Sequence, residues 1–69
     1  MKDKTKYQIG VIGAGAWGTA LANIIAKKEN VILWAKENSV CKNINKLHEN
    51  KRYLPKIKLS KKIECTTLI

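Results

Sequence analysis

The sequence has little of what disulfide scaffolds, metal modules and membrane proteins require. Its 69 residues include two cysteines, one histidine and one proline, and no phenylalanine. Cys41 and Cys65 form no C-x-x-C pair, and His48 has no second ligand at metal spacing, so we expect ordinary buried thiols, a surface histidine and no metal site. No apolar run approaches the roughly 18 residues of a membrane-spanning helix, and the lysine-rich start does not resemble a signal peptide. We therefore expect a cytoplasmic protein with no membrane span.

Acidic residues are also scarce. Five Asp and Glu stand against 14 Lys and Arg, a formal charge of +9 that attracts nucleic acid, anionic membranes or phosphorylated ligands. Hydrophobic residues make up 45%, which is close to the globular average and predicts a folded chain. A chain of 69 residues is nevertheless too short for a large active site with its own substrate domain.

The first half of the chain shows a strand, a helix and a second strand. Residues 7–12 are β-branched and apolar, which predicts a strand buried on both faces. From Ala16 to Lys28 apolar residues recur at intervals of three and four, which predicts an amphipathic helix that ends near Asn30 in the left-handed conformation. Its sheet-facing residues are expected to be Trp17, Ala20, Leu21, Ile24 and Ile25. Residues 31–34 then form a second buried run, and this order is the βαβ pattern of a parallel sheet.

The second half repeats the alternation. Ser39 is expected to cap a second helix that runs to about Glu49, and Pro55 excludes its continuation. Residues 56–62 read as a loop or weak edge strand, and residues 63–66 as a third strand. The predicted fold is α/β: a Rossmann-type βαβ(αβ) arrangement, part of a doubly wound parallel sheet and incomplete as a domain.

A glycine-rich loop joins the first strand to the first helix. Gly13, Gly15 and Gly18 form a G-x-G-x-x-G motif, and its place between a strand and a helix is the context that marks a dinucleotide-binding loop. Gly13 allows the tight turn, Gly15 leaves room for a pyrophosphate, and Gly18 lets the helix pack closely. The first N–H groups of the helix then face the phosphates.

The end of the second strand is the place where the adenosine ribose binds in such domains. An acidic residue there holds the 2′-hydroxyl of NAD, whereas a cation accommodates the 2′-phosphate of NADP. Trp34 and Ala35 are not acidic and Lys36 is a cation, so acceptance of NADP is favoured, with NAD as the alternative. Glu37 follows one position late and is expected to point away from the cofactor.

These residues together resemble one family. The matching segments are residues 11–22, residues 31–34, Ile44-Asn45, residues 48–50, residues 52–55 and Leu59. In this order they resemble the N-terminus of bacterial NAD(P)-dependent glycerol-3-phosphate dehydrogenase. The resemblance implies a cytoplasmic, often homodimeric enzyme that reduces dihydroxyacetone phosphate to sn-glycerol 3-phosphate, a phospholipid precursor.

The resemblance also implies a set of cofactor contacts. They would fall on the loop glycines and on Ala16, Trp17, Lys36 and Tyr53. The family usually has Ser at the position of Ala16, so a hydroxyl contact is lost while the backbone N–H remains. The family often has Arg at the position of Lys36, where a point charge now replaces a bidentate fork. Trp17 is also compatible with core packing, and Tyr53 with a purely structural turn.

The family's chain is several times longer, and its catalytic lysines and substrate domain lie beyond any match to residue 69. The sequence is therefore interpreted as the N-terminal part, residues 1–69, of an NAD(P)-binding Rossmann domain without a substrate domain. No catalytic residue is assigned, and the chain alone is expected to be inactive. Thr66-Thr67-Leu68-Ile69 lacks the Asp of the family's usual Thr-Thr-Asp-Leu, which is the basis for the hypothesis of a truncated or frame-shifted gene product.

Two other interpretations stay open at this point. One is a small basic nucleic-acid-binding module, although Arg52 is the single arginine and no aromatic platform is evident, so no nucleic-acid partner is expected. The other is a product without function, because two or three parallel strands leave an exposed sheet edge and face.

Overall fold

A computed structural model describes residues 9–68 as three strands and two helices in alternation. The elements are β1 (Ile9–Ile12), α1 (Ala16–Ile25), β2 (Val31–Trp34), α2 (Asn38–Leu47) and β3 (Ile63–Thr66). The α/β class and both later strands agree with the sequence prediction. Tyr7 and Gln8, which the prediction included in the first strand, lie outside the described residues.

The strands form a parallel sheet in the order β1-β2-β3. Val11 of β1 lies beside Leu33 of β2, and Leu33 lies beside Cys65 of β3. Parallel neighbours need a crossover, and α1 and the segment containing α2 supply the two crossovers. All three carboxyl ends therefore meet at one edge of the sheet.

Both helices pack on the same face of the sheet. The core holds alternate strand residues together with residues of α1 and α2; its members include Val11, Val31, Leu33, Ile63, Cys65, Ala22, Ala26, Val40, Cys41 and Ile44. On the opposite face Ile12 is 76% exposed. The prediction that the first strand is buried on both faces is thus wrong for residues 9–12, because within the described chain helices cover one face only.

Of the residues predicted to face the sheet, Ile25 packs against the core, but helix α1 otherwise presents a different face. Its buried residues are the small side chains Thr19 and Ala22, with Ala26 directly after it. Trp17, Leu21 and Ile24 are instead exposed, at 91%, 51% and 63%. Small residues allow the helix axis to approach the sheet, whereas the larger apolar residues occupy the outer side. A helix with apolar residues all round is typical of an element buried among others.

The helix ends also differ from the prediction. Helix α1 ends at Ile25 and is capped by the right-handed Ala26, not by a left-handed Asn30. Helix α2 begins after Glu37, so Ser39 is not its cap, and it ends at the left-handed His48. Across residues 9–68, neither helix is long and apolar enough to cross a membrane.

Candidate functional site

A cleft opens at the carboxyl ends of β1 and β2, the edge at which open α/β sheets bind ligands. Its volume is about 270 Å³, and it is lined by Gly13, Ala14, Gly15, Ala35, Lys36, Glu37, Val40 and Tyr53. A second cleft of about 330 Å³ shares Gly13, Ala35 and Lys36 with it and adds Ile12, Trp34 and Thr67. The structure thus brings two loop glycines, Lys36 and Tyr53 of the predicted site into one cleft.

The three glycines of the loop have three different local environments. Gly13 has a φ of 101°, a backbone conformation that favours glycine, and its N–H donates to the Trp34 carbonyl at 2.9 Å. At Gly18, a Cβ would lie 1.8 Å from the Gly13 carbonyl oxygen, so only glycine allows α1 to start so close to the loop. At Gly15, a Cβ would meet nothing within 4 Å. Gly15 therefore borders open space, which is the cradle that a bound group would fill.

The start of α1 is arranged to receive an anion. Gly15 is the N-cap residue, and among residues 9–68 no side chain caps the helix or places an acidic group in its first turn. The first intrahelical bond runs from the Thr19 N–H to the Gly15 carbonyl. The preceding amides of the first turn have no acceptor within the helix, and together with the helix dipole they favour a phosphate.

Ala16 and Trp17 occupy this first turn but do not line the cleft. Trp17 is 91% exposed, so the interpretation of Trp17 as a core residue is wrong within the described chain. The backbone of Ala16 lies directly after the Gly15 cap. The structure therefore places Ala16, Trp17 and Gly18 beside the cleft, at the helix end that points towards it.

The other wall of the cleft is a charged cluster that follows β2. Lys36 and Glu37 both line it, so the expectation that Glu37 points away is wrong. The Tyr53 hydroxyl donates to Glu37 Oε1 at 2.8 Å, and Arg52 Nε lies 3.1 Å from Glu37 Oε2. Arg52 also donates to the Tyr53 hydroxyl, and this bond, followed by the charge of Glu37, raises the pKa of the guanidinium.

Sequence reasoning missed three residues of this region. The sequence assigns no binding role to Glu37, and Asn50 and Arg52 enter only as parts of the segments that carry the resemblance. Asn50 is fully buried, and its side-chain nitrogen donates to the Ala14 carbonyl and to Thr19 Oγ1, both at 2.9 Å. The sequence signal for Asn50 is its position just beyond the predicted second helix and shortly before Tyr53 and Pro55.

The histidine and the cysteines lie away from the cleft lining. His48 is half-buried, and its Nδ1 has no hydrogen-bond partner among the described residues, so the expectation of a surface histidine is only partly met. Cys41 and Cys65 are free and buried, as predicted. Within residues 9–68, no three His, Cys, Asp or Glu side chains gather as a metal site.

The parallel sheet, the glycine loop that opens α1 and the cleft at the strand ends define a Rossmann-type dinucleotide-binding fold. Residues 8–69 match the family model described as the NAD-dependent glycerol-3-phosphate dehydrogenase N-terminus. The chain therefore belongs to the family of NAD-dependent glycerol-3-phosphate dehydrogenases, to their N-terminal part.

Individual relatives agree with this assignment. The chain is 55% identical over 67 residues to glycerol-3-phosphate dehydrogenase [NAD(P)+] of Maricaulis maris, covering 94% of this chain and 20% of the relative. It is 47% identical over 60 residues to the protein of the same name from Carboxydothermus hydrogenoformans, covering 86% and 18%. The chain thus spans about a fifth of the length of these relatives.

Solved structures show the same fold. Glycerol-3-phosphate dehydrogenase from Coxiella burnetii is 35% identical, with a TM-score of 0.77 over 88% of this chain and 19% of that one. The Plasmodium falciparum enzyme has a TM-score of 0.82 over 91% of this chain and 20% of that one. At 23% identity, the second likeness supports the fold alone.

Proposed function

We propose that the chain is the N-terminal part of the NAD(P)-binding Rossmann domain of a glycerol-3-phosphate dehydrogenase, and that its cleft binds NADP or NAD. The observation that carries the proposal is the loop in which Gly13 turns, Gly18 packs and Gly15 faces open space. The positive φ explains the glycine at 13 and packing explains the one at 18, but neither explains the one at 15. A close approach by a ligand does.

Two sides of the cleft contact different parts of the dinucleotide. The amides of Gly15, Ala16, Trp17 and Gly18 hold the pyrophosphate at the start of α1. Lys36 and Glu37 face the adenosine ribose, Lys36 attracting a 2′-phosphate and Glu37 accepting from a 2′-hydroxyl. Tyr53 lines the same cleft and orients Glu37 through its hydroxyl.

We infer the reaction from the family. When bound, the reduced dinucleotide supplies a hydride to the carbonyl carbon of dihydroxyacetone phosphate, and a proton completes the alcohol of glycerol 3-phosphate. The described residues contribute cofactor binding to this reaction, and no acid or base among them is assigned. We further propose the cytoplasm as the location and phospholipid precursor synthesis as the role; the homodimer and the phosphorylated substrate belong to a full-length enzyme.

Dinucleotide binding is tested by titrating the 69-residue protein with NADPH and NADH while recording the fluorescence of Trp17 and Trp34. We expect saturable quenching by both dinucleotides. Gly15→Ala should raise the dissociation constants about tenfold, since the added methyl group occupies the space beside Gly15 without a clash inside the protein. Urea unfolding of the variant should match that of the parent. A response to a DNA or RNA oligonucleotide but to neither dinucleotide would contradict the proposal.

Turnover is tested separately. We expect the 69-residue protein to consume no NADPH when dihydroxyacetone phosphate is added. Consumption that depends on the added substrate would show that an acid–base group is present within the chain.

A further inference from the structure

Asn50 is the most extensively bonded buried polar residue beside the cleft. Its side chain is fully buried, and its Nδ2 donates to the Ala14 carbonyl and to Thr19 Oγ1, both at 2.9 Å. Its Oδ1 accepts from the Tyr53 N–H at 3.2 Å. The amide therefore connects the glycine loop, helix α1 and the turn that carries Tyr53.

We propose that Asn50 is a positioning residue for the dinucleotide site: it fixes the glycine loop and Tyr53 relative to each other. The proposal rests on the function proposed above and assigns a role to a residue that does not line the cleft. Asn50 acts through the backbone of the loop and through Tyr53.

The first step concerns the peptide unit between Ala14 and Gly15. This unit is planar and trans, so its C=O and N–H point in opposite directions. Asn50 holds the Ala14 carbonyl towards the interior. The N–H of Gly15 must then point away from Asn50, and Gly15 itself lines the cleft. The direction of an anion-binding amide is thus set by a side chain 36 residues away in sequence.

The second step concerns the opposite wall. The Asn50 carbonyl accepts from the Leu54 N–H at 2.9 Å, and its Oδ1 accepts from the Tyr53 N–H, so both ends of Asn50 hold this turn. The turn places the Tyr53 hydroxyl 2.8 Å from Glu37 Oε1. One buried residue therefore sets the distance between the phosphate side and the ribose side of the cleft.

Only an amide supplies this combination of two donor hydrogens and an acceptor oxygen on one neutral group. Aspartate keeps the acceptor for Tyr53 but loses both donors, and it directs a carboxylate at the Ala14 carbonyl. Asn50→Asp therefore removes the bond to the loop and leaves the size of the side chain nearly unchanged.

The control for loss of the amide donors is Asn45→Asp; Asn45 is exposed, whereas Asn50 is fully buried. Asn45 also bonds a backbone through both ends of its amide, donating to the Cys65 carbonyl at 2.9 Å and accepting from the Cys65 N–H at 2.8 Å. It holds α2 to β3 and does not line the cleft. The two variants lose the same chemical groups, and only one of them loses contact with the loop.

The experiment measures the dissociation constants of NADPH and NADH in urea-free buffer, where circular dichroism shows each variant folded. We expect Asn50→Asp to weaken both dinucleotides about tenfold or more, and Asn45→Asp to change them less than about twofold. Equal effects of the two variants would overturn the proposal.

Two further measurements keep the test decisive. Thr19→Val removes one acceptor of the Asn50 amide without changing shape, so if Asn50→Asp does not fold, a roughly threefold loss of affinity is expected from Thr19→Val. ¹⁵N relaxation of the ligand-free protein should show greater mobility of residues 13–16 in these variants than in Asn45→Asp. Unchanged mobility of residues 13–16 would overturn the role proposed for Asn50, whether or not the parent protein binds a dinucleotide. Failure of the parent to bind either dinucleotide would refute only the proposed function.

Discussion

Gly18 faces the carbonyl oxygen of Gly13 so closely that a Cβ on Gly18 would lie 1.8 Å from that oxygen. The atom in the way belongs to the backbone, and Gly13 is itself held by its N–H bond to the Trp34 carbonyl. The loop cannot move aside without breaking its link to β2. The last glycine of the motif is therefore a packing requirement, whereas Gly15 borders open space.

Gly18→Ala should consequently destabilise the fold. Overpacking costs about 1–3 kcal/mol, and a domain of this size has only about 3–5 kcal/mol in total, so we expect the urea midpoint to fall by a large fraction of its parental value. Circular dichroism across a urea series measures this. Gly15→Ala serves as the control and should unfold at nearly the parental urea concentration. A Gly18→Ala protein as stable as the control would show that α1 does not pack this closely.

The charges on the ribose side of the cleft should set the preference between the two cofactors. Lys36→Ala is expected to weaken NADPH binding more than NADH binding, by about threefold to tenfold, because a bound 2′-phosphate would lose the lysine that lines the cleft. Glu37→Gln should shift the ratio in the opposite direction, since it removes a negative charge that repels the phosphate. Fluorescence titrations with both dinucleotides give the ratio directly.

Lys61→Ala is the control for this change in charge. Lys61 precedes β3 and lies at the amino-terminal edge of the sheet, opposite the cleft. The Lys61→Ala substitution should lower the affinity for both dinucleotides slightly and by the same factor, because it changes only the net charge. A Lys61 effect on the ratio as large as that of Lys36 would exclude a specific role for Lys36.

The two sides of α1 should respond in opposite ways to substitution. Ala22 has no exposed surface, so Ala22→Leu is expected to cost about 1–3 kcal/mol by overpacking. Leu21 is 51% exposed, so Leu21→Lys should change the free energy of unfolding by less than about 0.5 kcal/mol. Urea denaturation measures both effects. The reverse order of stabilities would support the face predicted from the sequence.

The buried thiol of Cys65 should make stability depend on pH in alkaline solution. Burial, together with a hydrogen bond that the Cys65 thiol donates to Cys41, raises the pKa of Cys65 in the folded protein. The unfolded thiol ionises near pH 8.5, so above that pH the unfolded state loses protons that the folded state keeps. The contribution of Cys65 is complete below about pH 8.5 and is lost as the pH rises further.

Urea midpoints measured from pH 7 to 10 test this dependence. Cys65→Ala should flatten the decline above about pH 8.5, whatever its effect at pH 7. In the folded protein we also expect Cys65 to react slowly with thiol reagents, because the thiolate is the reactive form. An unchanged slope in Cys65→Ala would assign the alkaline decline to lysines or tyrosines.

Local sequence determined the elements and the loop. The apolar run at 31–34 and the residues at 63–66, where Ile63 and Thr66 are β-branched, became strands with the predicted bounds, because strand formation depends on residues within a few positions. The glycine spacing likewise fixed the turn at Gly13 and the close approach at Gly18. These features need information from a dozen neighbouring residues at most.

Tertiary structure alone decided which faces and which distant groups meet. Helix α1 carries apolar residues all round, so its spacing fits two faces, and the sheet selected the one with small side chains at Thr19, Ala22 and Ala26. Glu37 turned into the cleft because Tyr53 and Arg52 hold its carboxylate from beyond α2. Asn50 reached the Ala14 carbonyl in the same way. Periodicity encodes distances along one element, whereas these contacts depend on how separate elements are placed in space.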